Sequence, residues 1–255
     1  MTALLRAAYA ALLALCTFNA AFAQDYARER RWLDEVKPGL VVGDAVMIKS
    51  GRSNREFLGL YTEEPNPVAT VVIVHGLGVH PDHGIIGVLR TRLSDLGYNT
   101  LAIQMPVLAA DAPQEEYARL FPDAADRIAR AVDWLKARGQ TNIVLVSHSM
   151  GSRMADAYFG TREADNPFRA WVALGMSQTY RPVTGTYRFP MLDVYGQNDL
   201  PAVRATAAER RRQLDPTKGS RQVEIEQTDH FYAGQEKALV TVIDQFLRPV
   251  VTTKR

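Results

Sequence analysis

Asn142-Ile143-Val144-Leu145-Val146-Ser147-His148-Ser149-Met150-Gly151 decides the reading of this chain. A run of buried-strand character enters Ser-His-Ser-Met-Gly, and Ser152-Arg153-Met154-Ala155-Asp156-Ala157-Tyr158 then reads as helix. Strand, sharp turn and helix with a serine at the turn make a nucleophile-elbow pattern, one residue off G-x-S-x-G. Such a turn lifts the serine Oγ out of the sheet. It also aims the unpaired N–H groups of a helix start at whatever that oxygen attacks.

Working outward, strands and helices alternate. Val68 to Val74 is a nearly continuous apolar strand, and Ile85 to Leu96 has helical spacing up to Gly97. Asn99 to Ile103 reads as strand. Glu115 to Arg138 reads as one long helix, with Leu120, Ala124, Ile128, Ala131 and Leu135 on a single face and Gly139 as its stop. After the elbow come strands at Ala170–Leu174, Met191–Tyr195 and Val223–Glu226. Helices are expected at Ala202–Leu214 and at Glu236–Leu247, the last stopped by Pro249, with Val250 to Arg255 as a frayed tail. Upstream, Gly43–Lys49 and Arg55–Tyr61 read as an antiparallel hairpin, and Tyr26–Val36 as a short amphipathic helix ended before Pro38. The expectation is an α/β protein: a mostly parallel central sheet with helices on both faces and an antiparallel hairpin at the N-terminal edge. The short segment from Ser177 to Phe189 leaves no room for a large lid.

In such a sheet the working residues sit at the carboxyl ends of strands. Ser149 follows the Ile143 strand, Asp199 the Met191 strand, His230 the Val223 strand, and His75-Gly76-Leu77-Gly78 the Val68 strand. A serine hydroxyl needs a base to become a nucleophile. His230 is the candidate base, and Asp199 the group that fixes its tautomer. The backbone N–H groups of Leu77 and Met150 are candidates for an oxyanion hole. Asp199 has a second reading as the cap of the helix near Pro201. Asp229, adjacent to His230, is too close in sequence to orient that ring.

Through these motifs, together with Tyr195-Gly196-Gln197-Asn198-Asp199 and Thr228-Asp229-His230-Phe231-Tyr232, the chain from Gly43 to the last helix resembles the α/β-hydrolases. More narrowly, His80-Pro81-Asp82 and Ala102-Ile103-Gln104-Met105-Pro106 resemble exported bacterial hydrolase-like proteins catalogued only as a domain of unknown function. The broad resemblance implies the fold and a Ser149-Asp199-His230 triad. The narrow one implies no substrate. Ser147 departs from the pattern, standing where the elbow has its first glycine, and a slightly altered turn is expected there.

The first 23 residues read as a signal peptide. Arg6 supplies the positive region, Ala7 to Cys16 an apolar run too short to span a bilayer, and Ala21-Phe22-Ala23 a cleavage box. An uncleaved anchor, or lipid on Cys16, is the alternative. Residues 24–255 then form one domain, exported to the bacterial periplasm or beyond, without stable membrane insertion. Cleavage removes the only cysteine, so the domain relies on its core. With 30 basic and 28 acidic residues there is no case for nucleic acid. Glu209-Arg210-Arg211-Arg212 reads as a solvated helix face, with a binding patch as the other reading. His75, His80 and His83 match no fixed metal-ligand spacing, and neither metal nor organic cofactor is expected. Tyr180, Tyr187 and Phe189 either line a substrate site or pack on the body.

The expected activity is hydrolysis of a carboxylic ester, on small or extended soluble acyl substrates, through an acyl-enzyme. Amide, peptide and thioester hydrolysis by the same triad stay open, as does a non-catalytic envelope binding protein of this fold. The sequence sets no oligomeric state.

Overall fold

The computed structural model describes residues 23–161, 166–181, 187 and 189–253. Residues 1–22 of the expected signal peptide (residues 1–23), including its apolar run, therefore lie outside the described residues. The central element is an eight-stranded sheet: β1 (Asp44–Lys49), β2 (Glu56–Thr62), β3 (Thr70–Val74), β4 (Asn99–Ile103), β5 (Ile143–His148), β6 (Phe168–Leu174), β7 (Met191–Gly196) and β8 (Arg221–Ile225). Their spatial order is β1-β2-β4-β3-β5-β6-β7-β8. β1 and β2 are antiparallel, as is β2 against β4; every other pairing is parallel. β3, β4 and β5 are buried along their whole length because helices cover both faces, which is why they read as unbroken apolar runs.

The helices are α1 (Tyr26–Gly39), α2 (Ile85–Asp95), α3 (Phe121–Lys136), α4 (Met150–Gly160), α5 (Pro201–Gln213) and α6 (Glu236–Thr252). They divide the core into two apolar layers. One, built around Trp171, Tyr158 and Ile128, lies under α3 and α4. The other, built around Leu89, Ile243 and Tyr98, lies under α2 and α6.

Three expectations about helices are corrected. The long helix from Glu115 is broken into a tight 3-10 stretch, Gln114–Leu120, followed by α3. Pro122 is the cause: a proline has no N–H to give and is tolerated only in a helix's first turn. Proline fails to stop two other helices. Pro38 lies inside the last turn of α1, and α6 runs past Pro249 to Thr252. The end of α6 is held because Val251 is buried and because Arg169 and Asn142 donate to its terminal carbonyls; Arg169 reaches the Thr253 carbonyl at 2.8 Å and Asn142 that of Val251 at 3.1 Å.

The basic cluster is also corrected. Arg210 is fully buried, not solvated. It follows Val203 and Ala207 at helical spacing on the inward face of α5, where its guanidinium pairs with Asp193 of β7 at 2.9 Å. Arg211 and Arg212 do face solvent. Tyr180, Tyr187 and Phe189 pack on the body: Tyr180 meets the Trp171 ring edge-on at 5.4 Å, and Tyr187 and Phe189 lie against Phe159. Among the described residues, the connection from β6 to β7 carries no helix, and no helix is long and apolar enough to cross a membrane.

Candidate active site

β5 delivers the serine. Ser149 follows it at φ 56° and ψ −123°, a backbone conformation that costs energy in any residue with a side chain, and α4 begins at Met150. The turn stays tight because Gly151 is next to the β3 exit. A Cβ at that position would come within 2.4 Å of the His75 carbonyl oxygen. Ser147 is accommodated without losing the turn. Its hydroxyl accepts from the Trp171 indole at 2.8 Å and pairs with Ser152 Oγ at 3.1 Å, so the group that replaces a glycine hydrogen is fully bonded.

Three strand ends converge. His230 Nε2 lies 2.8 Å from Ser149 Oγ, and His230 Nδ1 lies 2.6 Å from Asp199 Oδ1. The Asp199 carboxylate also accepts the Leu200 N–H at 2.7 Å and the Gly196 N–H at 3.1 Å. Burial by itself would raise its pKa, but the bonds from His230, Gly196 and Leu200 outweigh that and hold it below the ordinary value. Asp199 is therefore ionised at neutral pH, an acceptor only, which leaves Nδ1 of His230 as the donor and Nε2 facing the serine. The N-cap of α5 is Leu200, so Asp199 faces the imidazole and does not cap the helix. Asp229 turns away, accepting from the Phe231 N–H.

His75 is fully buried, and its pKa is lowered to about 3, chiefly by desolvation. The Met105 N–H donates to its Nε2 at 2.8 Å, so the proton sits on Nδ1, which donates to the Gly76 carbonyl at 2.9 Å. That carbonyl belongs to the same peptide plane as the Leu77 N–H, whose direction is thereby set. Leu77 and Met150 line one cleft with Ser149. Among the described residues neither N–H is engaged in another hydrogen bond.

The cleft has a volume of about 610 Å³. Its walls include Val79, Ile85 and Ile86, and its mouth carries Leu77, Leu200 and Phe231, which are 39%, 47% and 62% exposed. His83 lies on its edge, while the His80 ring is tilted against Trp32 at 5.8 Å and meets His83 edge-on at 5.4 Å. No group of three or more His, Cys, Asp or Glu side chains among the described residues is placed to hold a metal.

Two contributors escape a reading of the motifs. His148 Nε2 donates to the backbone carbonyl of His230 at 2.9 Å. Gly175, directly after β6, has φ 58°, and a Cβ there would be 2.7 Å from His230 Cε1. A glycine at the carboxyl end of a strand beside the elbow is a sequence signal that points to such a close approach.

This is the α/β-hydrolase fold, with no lid helix between β6 and β7 among the described residues. It is similar to an α/β serine hydrolase without lid from Xanthomonas campestris, at 14% identity and a TM-score of 0.66 over 85% of this chain and 98% of that one. Est1E from Butyrivibrio proteoclasticus matches at 17% identity and a TM-score of 0.63, over 82% of this chain and 99% of that one. A dienelactone hydrolase from Anabaena variabilis matches at 20% and 0.62, over 79% and 94%. More narrowly, residues 35–125 match the model of a family described as protein of unknown function, DUF3530. No curated protein matches the chain.

Proposed function

We propose that this protein is a serine hydrolase, a carboxylesterase acting through an acyl-enzyme. The observation that carries the reading is the hydrogen-bonded relay from Asp199 through His230 to Ser149, beside a serine held at φ 56°. Similarity in fold to a serine hydrolase and a dienelactone hydrolase supports it.

The chemistry follows from the atoms. As Ser149 Oγ attacks the acyl carbon, its proton moves to His230 Nε2, and the Asp199 carboxylate stabilises the imidazolium. The carbonyl oxygen becomes an oxyanion held by the N–H groups of Leu77 and Met150. Each such donor contributes on the order of 3 kcal/mol to the transition state. Collapse expels the alcohol, protonated by His230, and leaves the acyl group on Ser149. Water, deprotonated by the same imidazole, then attacks the acyl carbon, and the acid leaves as Ser149 regains its proton.

The apolar walls and the open mouth favour uncharged acyl groups, small or extended and soluble. Glu236, the carboxylate on the cleft lining, disfavours anionic ones. The reading includes export, with residues 24–255 as the working domain.

A panel of p-nitrophenyl esters of increasing chain length tests it. Hydrolysis by the wild type, abolished in Ser149→Ala and His230→Ala, supports the reading. A folded wild type with no turnover on any ester, amide or thioester moves the protein to the binding class.

A further inference from the structure

We infer that Arg28, on the N-terminal helix α1, is a positioning residue for the oxyanion hole, an inference that rests on the hydrolase reading. Arg28 is the one side chain of α1 whose hydrogen bonds reach the loop after β3. Its Nη2 donates to the Gly78 carbonyl at 2.8 Å, and its Nη1 to the Leu108 carbonyl at 3.0 Å. A planar guanidinium bridging two carbonyls holds them at a set spacing, which a lysine's single ammonium does not reproduce. The Trp32 ring, 4.7 Å from the guanidinium carbon, backs the fork.

The geometry of the loop says what this bridge does. Gly76 and Gly78 flank Leu77, and His75 already fixes the Gly76 carbonyl from the inner side. Arg28 fixes the Gly78 carbonyl from the outer side. The Gly76–Leu77 and Gly78–Val79 peptide planes are thus both anchored, with the Leu77–Gly78 peptide held between them, although the Leu77 side chain is 39% exposed. Gly78 adopts φ 63°, and a Cβ there would lie 3.3 Å from Arg28 Nη2; the missing side chain is what lets the guanidinium sit against the backbone. Remove Arg28, and the Gly78 carbonyl has no side-chain donor among the described residues; the one left beside it is Gln104 Nε2, on the Val79 carbonyl at 3.4 Å. An oxyanion donor acts only while it is held at the oxyanion's position, so a loosened Leu77 N–H lowers turnover more than binding.

α1 has a separate attachment, the buried ion pair of Glu29 with Arg127 at 2.8 Å, and a separate N-cap, Asp25, which accepts the Arg28 backbone N–H at 2.8 Å. The role of the guanidinium can therefore be separated from helix docking. In the intact exported chain, Arg28→Met is expected to lower kcat about 10- to 100-fold, with KM within about twofold and an unchanged pH profile of kcat/KM. Added guanidinium chloride at low concentration restores part of the rate, and Arg28→Lys falls between Met and wild type. Asp25→Ala, which weakens α1 without removing the fork, lowers Tm and leaves kcat near wild type. Should Arg28→Met fail to fold, Arg28→Lys decides, with a fall in kcat at constant KM expected. An Arg28→Met or Arg28→Lys rate equal to wild type overturns the inference, as does an equal rate loss in Asp25→Ala. A wild type that turns over no substrate ends the hydrolase reading instead.

Discussion

His148 and His230 lie ring against ring, their centroids 4.8 Å apart, and His148 Nε2 donates to the backbone carbonyl of His230 at 2.9 Å. His148, beside the proposed nucleophile Ser149, thus holds the proposed base. It does so without adding charge. Burial, then the neighbouring His230, push the pKa of His148 down to about 4. Under the proposed mechanism His230 becomes an imidazolium, and a neutral ring next to it avoids like-charge repulsion.

Replacing His148 with Phe keeps a ring there and removes the donor. The His230 backbone then loses its tether and leaves a carbonyl without that partner. We expect kcat/KM to fall about 10-fold, because small misplacements of a general base are costly, while the fold is retained. Steady-state kinetics on one ester, with circular dichroism for the fold, checks this.

The two buried histidines make stability depend on pH. His75 titrates at about 3 and His148 at about 4 when folded, against an ordinary value of 6.5. Between those limits the unfolded chain binds protons that the folded chain refuses. Stability is therefore complete above about pH 6.5 and declines as the pH falls toward 4, by roughly 3 kcal/mol for each ring. Asp199 adds its own loss only below its ordinary carboxylate range, since its folded pKa is depressed. Urea midpoints measured from pH 7 to pH 4 should fall steadily, and His148→Phe should flatten the slope.

Gly175→Ala tests the close approach at the relay. The new methyl would sit 2.7 Å from His230 Cε1 on a backbone with φ 58°. The imidazole must move, and about 100-fold of activity should go with it. Gly219→Ala has a similar φ of 81° with open space around it, and should cost stability alone. Comparing the two variants in one assay separates strain from contact.

Asp193 and Arg210 are both wholly buried. Asp193→Ala strands a guanidinium and should destabilise the protein by about 3–5 kcal/mol. The paired change to Leu and Met, which removes both charges, should recover most of that. Thermal unfolding of the wild type and these two variants checks it.

Most of the architecture is written in local pattern. Buried parallel strands read as runs such as Thr70-Val71-Val72-Ile73-Val74, and Gly97 and Gly139 mark helix ends with positive φ. The relay was legible because strand ends are the one place where an α/β sheet gathers side chains, and Ser149, Asp199 and His230 each follow a strand. What was not legible depends on contacts across the sheet. Nothing near Arg210 in sequence announces Asp193. The run through Pro249 is decided by tertiary packing that outweighs local propensity. The bond from His148 spans to residue 230, and the fork of Arg28 spans 50 and 80 residues. Such partners appear only once the chain is folded.

The most direct test of the central claim is to treat the wild-type protein with a fluorophosphonate and locate the adduct by peptide mass mapping. Stoichiometric phosphonylation of Ser149 is expected, absent in His230→Ala and slowed in Asp199→Asn. An unmodified wild type, or an adduct on Ser147, Ser152 or Ser177 in place of Ser149, would contradict it.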